Sequence, residues 1–463
     1  MVQRPKGSKA QRQEEGINLA PASASRNCVT SFLASRRCAV VPLRLIYYLW
    51  PFSKTTMRLI YNAGIFLYRA IAWIISPFNR KARDWINGRK DWYDLLRQKI
   101  IKGDKYIWIH CASLGEFEQG RPVIESIKKE RPGYCILLTF FSPSGYEIRK
   151  DYPLADIVCY LPYDTSRNAG KFISLVNPAI AILVKYEFWD NFISALNRKN
   201  VPLYLISGIF RKEQHFFKWY GGFFRKILEK FTRIFVQDQE SFDLLKAIGI
   251  KNVIIAGDTR FDRVTEIAAS VKEIPQLEQF RGNEKLFLAG SSWKQDEEII
   301  ARYINAHPGI MKWVFAPHEI DRENIERLEK LFTVKSVRFT EFSDNSGDAR
   351  VMIMDNMGLL SSAYRYASIA AVGGGFGKGI HNVLEPACWS IPVLFGPNYK
   401  KFREAVDLIN QEGAKSFDNY TGFEEILNKW VSDETQYRKA ASQAGEYVNK
   451  NRGATSLIMK EII

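Results

Sequence analysis

The sequence predicts an α/β protein built from two doubly wound parallel-sheet domains in tandem, preceded by an apolar helix. Three observations carry this. Short apolar runs alternate with amphipathic ones in two series, over residues 105–257 and 285–397. The runs are continuously apolar, the pattern of strands covered on both faces by helices. Between the series, residues 259–284 lack strand signals and include Pro275 and Gly282, which marks an inter-domain link. At 463 residues the chain is long enough for two proper cores.

Residues 1–30 are polar, rich in Ser, Ala, Arg and Gln and without periodicity, and are expected to be disordered; the expectation of an extension runs to residue 56. Residues 39–51 are apolar but short, with Pro42 and Arg44 interrupting. From Met57 to Phe78 an apolar-dominated run follows, broken by Asn62 and Arg69, which makes a spanning helix marginal. Tyr61, Phe66, Tyr68 and Trp73 suit a membrane interface, and the basic run Asn79 to Lys90 comes directly after. Residues 57–103 therefore read as a membrane anchor, spanning or interfacial, with a basic segment. The alternative is an amphipathic helix packed on the body. The length and the lack of a small-residue cleavage site argue against a signal peptide.

The formal net charge is +16, but residues 1–103 hold 19 Lys and Arg against 5 Asp and Glu, and the remainder is nearly neutral. A nucleic-acid enzyme would spread basic residues around a groove in its body, whereas a membrane anchor concentrates them beside an apolar segment. The balance points away from nucleic acid. Six cysteines show no C-x-x-C spacing and read as free thiols in a reducing compartment, not a zinc site.

In the first series, strands are expected at 106–113, 135–142, 156–163, 179–187, 202–208, 233–238 and 253–257. The first ends in Ser113-Leu114-Gly115-Glu116. Gly115 is expected to permit a sharp turn that leaves Glu116 at a helix start; there it could cap the helix or act as a general base. Ser113 lacks the G-x-S-x-G elbow of a hydrolase nucleophile. The fourth strand ends in Lys185-Tyr186-Glu187-Phe188-Trp189-Asp190-Asn191, where a carboxylate leaving a buried strand is costly unless paired or used. After the last comes Gly257-Asp258-Thr259-Arg260-Phe261-Asp262; Arg260 could grip a phosphate or pair with Asp258 or Asp262.

In the second series, strands are expected at 285–292, 313–319, 351–355, 369–375 and 392–397. Ala289 to Trp293 is a small-residue turn after a strand. His318 follows Pro317 at the next strand's end, and Met357-Gly358-Leu359 follow the third. From Ala371 to Pro397 a strand breaks into five glycines within Gly373–Gly379, and a helix is expected to start near His381-Asn382. Such an arrangement can turn backbone N–H groups towards an anion, although neither the P-loop nor the G-x-G-x-x-G register fits. Glu385, three residues beyond Asn382, has capping-box-like spacing and is also placed to hold a ribose.

Gly373 to Ala387, reading GGGFGKGIHNVLEPA, resembles the donor-nucleotide signature of the bacterial Kdo transferases, GT-B enzymes that attach 3-deoxy-manno-octulosonic acid (Kdo) to lipid A. Ser113–Glu116, Glu187-x-Trp189-x-Asn191, Gly257–Asp262, Pro317-His318 and Asp355–Leu360 are similar to further motifs of that family in the same order, over residues 57–463. The resemblance implies a GT-B fold: an acceptor-binding domain over 104–265 and a donor-binding domain over 266–463. It implies Glu116 as general base, with Glu187 and Arg260 stabilising the transition state and the leaving phosphate. Pro317, His318, Met357, Gly358, Leu359, Asn382, Val383, Leu384 and Glu385 would contact the CMP moiety. Departures are Asp190 where Pro is usual, Arg260 for Lys, His318 for Arg and Leu359 for Glu.

The implied reaction is inverting transfer of Kdo from CMP-Kdo to a lipid A precursor, with release of CMP. The implied place is the cytoplasmic face of the inner membrane, and no cofactor is implied. No D-x-D pair or His/Asp cluster with metal-ligand spacing occurs, so no metal is expected. The same two-domain pattern would serve a UDP-sugar transferase or a non-hydrolysing epimerase. From another class, a basic membrane adaptor without activity would share the charge distribution.

Overall fold

The computed structural model describes residues 54–463, and the expectations for residues 1–53, Cys28 and Cys38 among them, lie outside the described residues. Fourteen strands form two sheets. The first sheet holds β1 (Lys105–Cys111), β2 (Tyr134–Phe140), β3 (Ile157–Tyr160), β4 (Ile180–Val184), β5 (Leu203–Gly208), β6 (Arg233–Val236) and β7 (Val253–Ile255), in the order β3-β2-β1-β4-β5-β6-β7. The second holds β8 (Leu286–Ser292), β9 (Lys312–Pro317), β10 (Ser336–Arg338), β11 (Val351–Ile353), β12 (Ile369–Val372), β13 (Val393–Phe395) and β14 (Ala414–Ser416), in the order β10-β11-β9-β8-β12-β13-β14.

Every pairing is parallel. Parallel neighbours need crossover connections, and these are the helices that cover both faces. All twelve expected strands are present. The two added ones, β10 and β14, are three-residue edge strands reading SVR and AKS, too short and too polar to show as apolar runs.

The central strands are the cores. Ile107, Trp108 and Ile109 of β1 are fully buried, their side chains alternating between the clusters on the two faces of the first sheet. Burying each such side chain stabilises by about 1.5–3 kcal/mol. In both sheets the strand order reverses beside the first strand, at β1/β4 and at β8/β12. Ligands of doubly wound sheets settle at the carboxyl ends of strands at such a reversal. Sheet order alone therefore points to the segments after β1, β4, β8 and β12.

The segment between the series is helical, at Thr259–Ala269 and Pro275–Arg281. The final helix, Ala454–Ile462, returns to the first domain, where Ile458, Met459 and Ile462 join the core under β1 and β2. It is tied there by Asp262, which accepts from the N–H groups of Gly453 and Thr455 (2.5 and 2.6 Å).

The apolar helix spans Lys54–Ile75. Its inner face docks on the first domain: Tyr61 and Ile65 are buried, and the Tyr61 hydroxyl donates to Asp164 (2.5 Å). Asn62, one of the two polar interruptions, accepts from Asn191 (2.9 Å); the other, Arg69, lies over the Tyr163 ring (4.8 Å to the centroid). The opposite face leaves Leu59, Phe66, Leu67, Ile71, Trp73 and Ile74 exposed.

Candidate active site

Helix Leu114–Glu130 begins immediately after β1, so Glu116 stands in its first turn. Its carboxylate folds back to accept from the Ala112 backbone N–H (2.5 Å). Gly115, expected to serve a sharp turn, sits inside the helix without a positive φ, and a Cβ there would meet nothing within 4 Å. The turn is made by Ser113, extended at the N-cap position, so glycine is not required at 115.

Glu187 leaves β4 and is 1 % exposed. One oxygen accepts from the Trp189 indole N–H (2.6 Å) and lies 3.0 Å from His110 Nε2; the other has no partner among the described residues. His110, on β1, is itself fully buried and held at Nδ1 by Thr139, 2.8 Å from its hydroxyl and 3.1 Å from its carbonyl. Burial pushes His110 down to about 4, so the imidazole is neutral and the His110–Glu187 contact is a hydrogen bond, not an ion pair.

Burial also pushes Glu187 up, to about 7, against the Trp189 hydrogen bond. It pushes Glu116 up to about 8, helped by repulsion from Glu187 and opposed by the Ala112 N–H and Lys185. Two carboxylates thus stand at the sheet reversal, and Glu187 disfavours ionisation of Glu116. Environments of this kind produce a carboxylate able to take a proton near neutral pH.

Arg260 lies in the first turn of helix Thr259–Ala269 and is already forked. Its Nε and Nη2 donate to Asp258 (2.9 and 2.7 Å), and Nη1 donates to Glu404 of the second domain (2.7 Å). Of the two sequence readings, pairing with Asp258 is present, and Asp262 instead holds the final helix. Lys185 joins the site without a sequence signal of its own. It follows β4 with a left-handed φ of 71° and is pushed down by burial and by Arg260. Its electrostatic neighbours include Glu116, Asp258 and Glu404, which places a second cation between the domains' acidic groups. A non-glycine at positive φ at the end of a central strand is invisible in sequence.

In the second domain, the His318 ring stacks on both Trp293 and His381, which lie side by side with the Trp293 indole N–H donating to His381 Nε2 (3.0 Å). Centroids are 4.7 Å apart for Trp293–His318 and 4.5 Å for His318–His381. These residues come from the ends of β8 and β9 and from the loop after β12. Next to His381, Asn382 Nδ2 donates to Glu385 (3.0 Å), and Ser361 donates to the other Glu385 oxygen (3.1 Å). Burial pushes Glu385 up, and Glu118 of the first domain adds a weaker push across the cleft.

The glycine loop is tighter than expected. Gly374 (φ 91°) donates its N–H to Asp296 (3.1 Å), a Cβ on Gly373 would lie 2.3 Å from the Ser291 carbonyl, and the helix begins only at Leu384. Val383 and Leu384 are fully buried in the core around Phe395 and can face a ligand only with backbone. Pro317 is half-buried at the end of β9, Gly358 takes φ 90°, Leu359 packs on the core below β8, and Met357 stays 76 % exposed on the rim. Nothing in the sequence puts Trp293 beside His318 or Ser361 beside Glu385.

The family model for 3-deoxy-D-manno-octulosonic-acid transferase (kdotransferase) matches residues 87–263. The chain is 31 % identical to the 3-deoxy-D-manno-octulosonic acid transferase of Aquifex aeolicus over 314 residues, 66 % of this chain and 80 % of that one. Against the same-named protein of Haemophilus influenzae it is 24 % identical over 427 residues, covering 89 % and 97 %. In fold it is similar to UDP-GlcNAc 2-epimerase from Neisseria meningitidis, with a TM-score of 0.55 at 16 % identity over 77 % of this chain and 98 % of that one.

Proposed function

The chain belongs to the Kdo transferase family and is a GT-B glycosyltransferase, and we propose that it transfers Kdo from CMP-Kdo to a hydroxyl of a lipid A precursor. The observation that carries the mechanism is the pairing of Glu116 and Glu187 at the carboxyl ends of the neighbouring strands β1 and β4, both raised towards neutral pH.

Glu116, ionised, takes the proton of the acceptor hydroxyl as its oxygen attacks the anomeric carbon of Kdo. The bond from that carbon to the phosphate oxygen breaks, CMP departs with the electron pair, and the configuration inverts. The charge that develops on the sugar is positive and that on the phosphate negative. Glu187, fixed by Trp189 and His110, faces the former. Lys185 and Arg260 supply positive charge for the latter, Arg260 from within its ion pairs. Asn382 and Glu385 hold the ribose, and the His318–His381–Trp293 ring cluster flanks the nucleotide.

The exposed apolar face of helix Lys54–Ile75 and the basic segment after it seat the enzyme on the cytoplasmic face of the inner membrane. Because the inner face is docked through Tyr61 and Asn62, the helix lies along the membrane surface in this reading and does not cross it.

The test is mass spectrometry of the lipid after purified protein meets CMP-Kdo and a tetra-acylated lipid A precursor. Gain of Kdo supports the reading and counts the units added. No gain, with donor and detergent controls working, removes it. Glu116→Gln is expected to abolish transfer while CMP binding survives.

A further inference from the structure

A cavity of about 520 Å³ opens between helix Lys54–Ile75 and the segment that follows it. Its walls carry three cations, Arg69, Arg89 and Lys90, three aromatic rings, Phe66, Trp73 and Tyr163, and, among the described residues, no carboxylate.

Arg89 is the unusual member. It is 3 % exposed and lies over the Trp85 ring, 4.4 Å from its centroid. It donates only to carbonyls, those of Leu161 (2.8 Å), Trp85 (2.8 Å) and Phe141 (2.7 Å). Burial pulls it down to about 10, so it stays charged at neutral pH. A buried charge is costly without an opposite one, and rings and carbonyl dipoles offset only part of that cost. Arg69 lies over Tyr163, and neither Arg69 nor Lys90 has an ion pair among the described residues. The cavity therefore concentrates positive charge with no counterion of its own.

What surrounds the mouth narrows the anion. Phe66 and Trp73 line the cavity and are 70 % and 68 % exposed outside it, continuous with the exposed Ile74 and Phe78. A free inorganic anion has no use for that rim. An amphiphile does: its acidic headgroup enters between Arg69 and Lys90, above Arg89, while its chains follow the aromatic rim.

We propose that this cavity is a stoichiometric binding site for the phosphate headgroup of an anionic bilayer phospholipid. The inference does not depend on the transfer reaction.

The experiment uses the full chain solubilised in mild detergent and titrated with phosphatidylglycerol, phosphatidylcholine or inorganic phosphate, with bound lipid counted by native mass spectrometry. Expected is one phosphatidylglycerol per chain, no retained phosphatidylcholine, and no displacement by millimolar phosphate. Arg69→Gln/Lys90→Gln should lose the bound lipid. Lys81→Gln/Arg83→Gln removes the same charge from exposed positions outside the cavity and should keep it.

On phosphatidylglycerol vesicles a diffuse basic surface weakens about fivefold for each charge removed, wherever the charge sits. The cavity pair should fall at least about tenfold further than the control pair. Equal loss in the two pairs, or displacement by phosphate, overturns the proposal. Should the Gln pair melt early, Arg69→Lys/Lys90→Arg keeps both charges and must retain the lipid; loss there, with normal melting, also overturns it.

Discussion

His110 Nε2 lies 3.0 Å from Glu187 Oε2, both side chains fully enclosed, so a neutral imidazole on β1 fixes the carboxylate that leaves β4. Thr139 on β2 holds the other ring nitrogen, and Trp108 donates to the Thr139 hydroxyl (2.8 Å). A three-strand relay therefore ends on the carboxylate proposed to face the developing positive charge. Trp189 completes the clamp and stacks on Phe141, 4.9 Å between centroids.

Removing the clamp should act on turnover more than on binding. For His110→Ala, loss of a buried hydrogen bond to an ionisable group, about 1.5–3 kcal/mol, corresponds to roughly 10–100-fold in kcat with KM little changed. Thr139→Val should move kcat in the same direction by less. The readout that separates positioning from general loosening is the pH profile, whose limbs should shift in both variants, although Thr139→Val also costs about 1–3 kcal/mol of stability by stranding the Trp108 indole N–H.

The rate should rise with pH. The proposed base Glu116 must be ionised to act, and burial with the Glu187 charge pushes it up to about 8, so kcat/KM should climb from pH 6 and level above that value. Because the Glu187 charge raises Glu116, Glu187→Gln removes the repulsion and should move the limb to lower pH while lowering the plateau. A limb unmoved by Glu187→Gln would detach Glu187 from the base.

Arg260 holds two buried acids from different domains, Asp258 and Glu404, 6 % and 8 % exposed. Arg260→Gln strands both and should cost about 3–5 kcal/mol in denaturant unfolding, besides weakening donor binding. Arg260→Lys cannot span both partners with a fork and should recover only part of either loss. Unchanged stability in Arg260→Gln would remove its role as a domain tie.

Two glycines in family-like motifs should respond oppositely. Gly374→Ala forces a Cβ onto φ 91° at 2.6 Å from the Gly379 carbonyl and should destabilise by about 1–3 kcal/mol. Gly115→Ala adds a methyl to open space inside a helix and should stabilise by about 0.5–1 kcal/mol in thermal unfolding.

Legibility followed the range of the interaction involved. Strands read themselves out because a parallel strand buried on both faces must be apolar along its length, as β1 and β4 are, and Glu116 and Glu187 stood out as acids at the ends of such runs. The edge strands β10 and β14 stayed hidden, since three residues at a sheet margin need no apolar code. The helix expected at His381-Asn382 starts later because the chain first makes the tight glycine crossing against Ser291 and Gly396. Asn62 and Arg69 read as flaws in a membrane span, yet Asn62 is a docking contact on the body and Arg69 stands over a ring at a cavity wall.

The two-sheet architecture, the concentration of positive charge beside the apolar helix, and the acids that end particular strands are all written in residue type and local period. Which of these groups meet depends on the folded packing. It sets His110 against Glu187, occupies Arg260 with acids from two domains, brings Lys185 among them, and closes a cavity around Arg89. Those contacts join residues dozens to well over a hundred positions apart, and their energies depend on burial and distance, which no local pattern encodes.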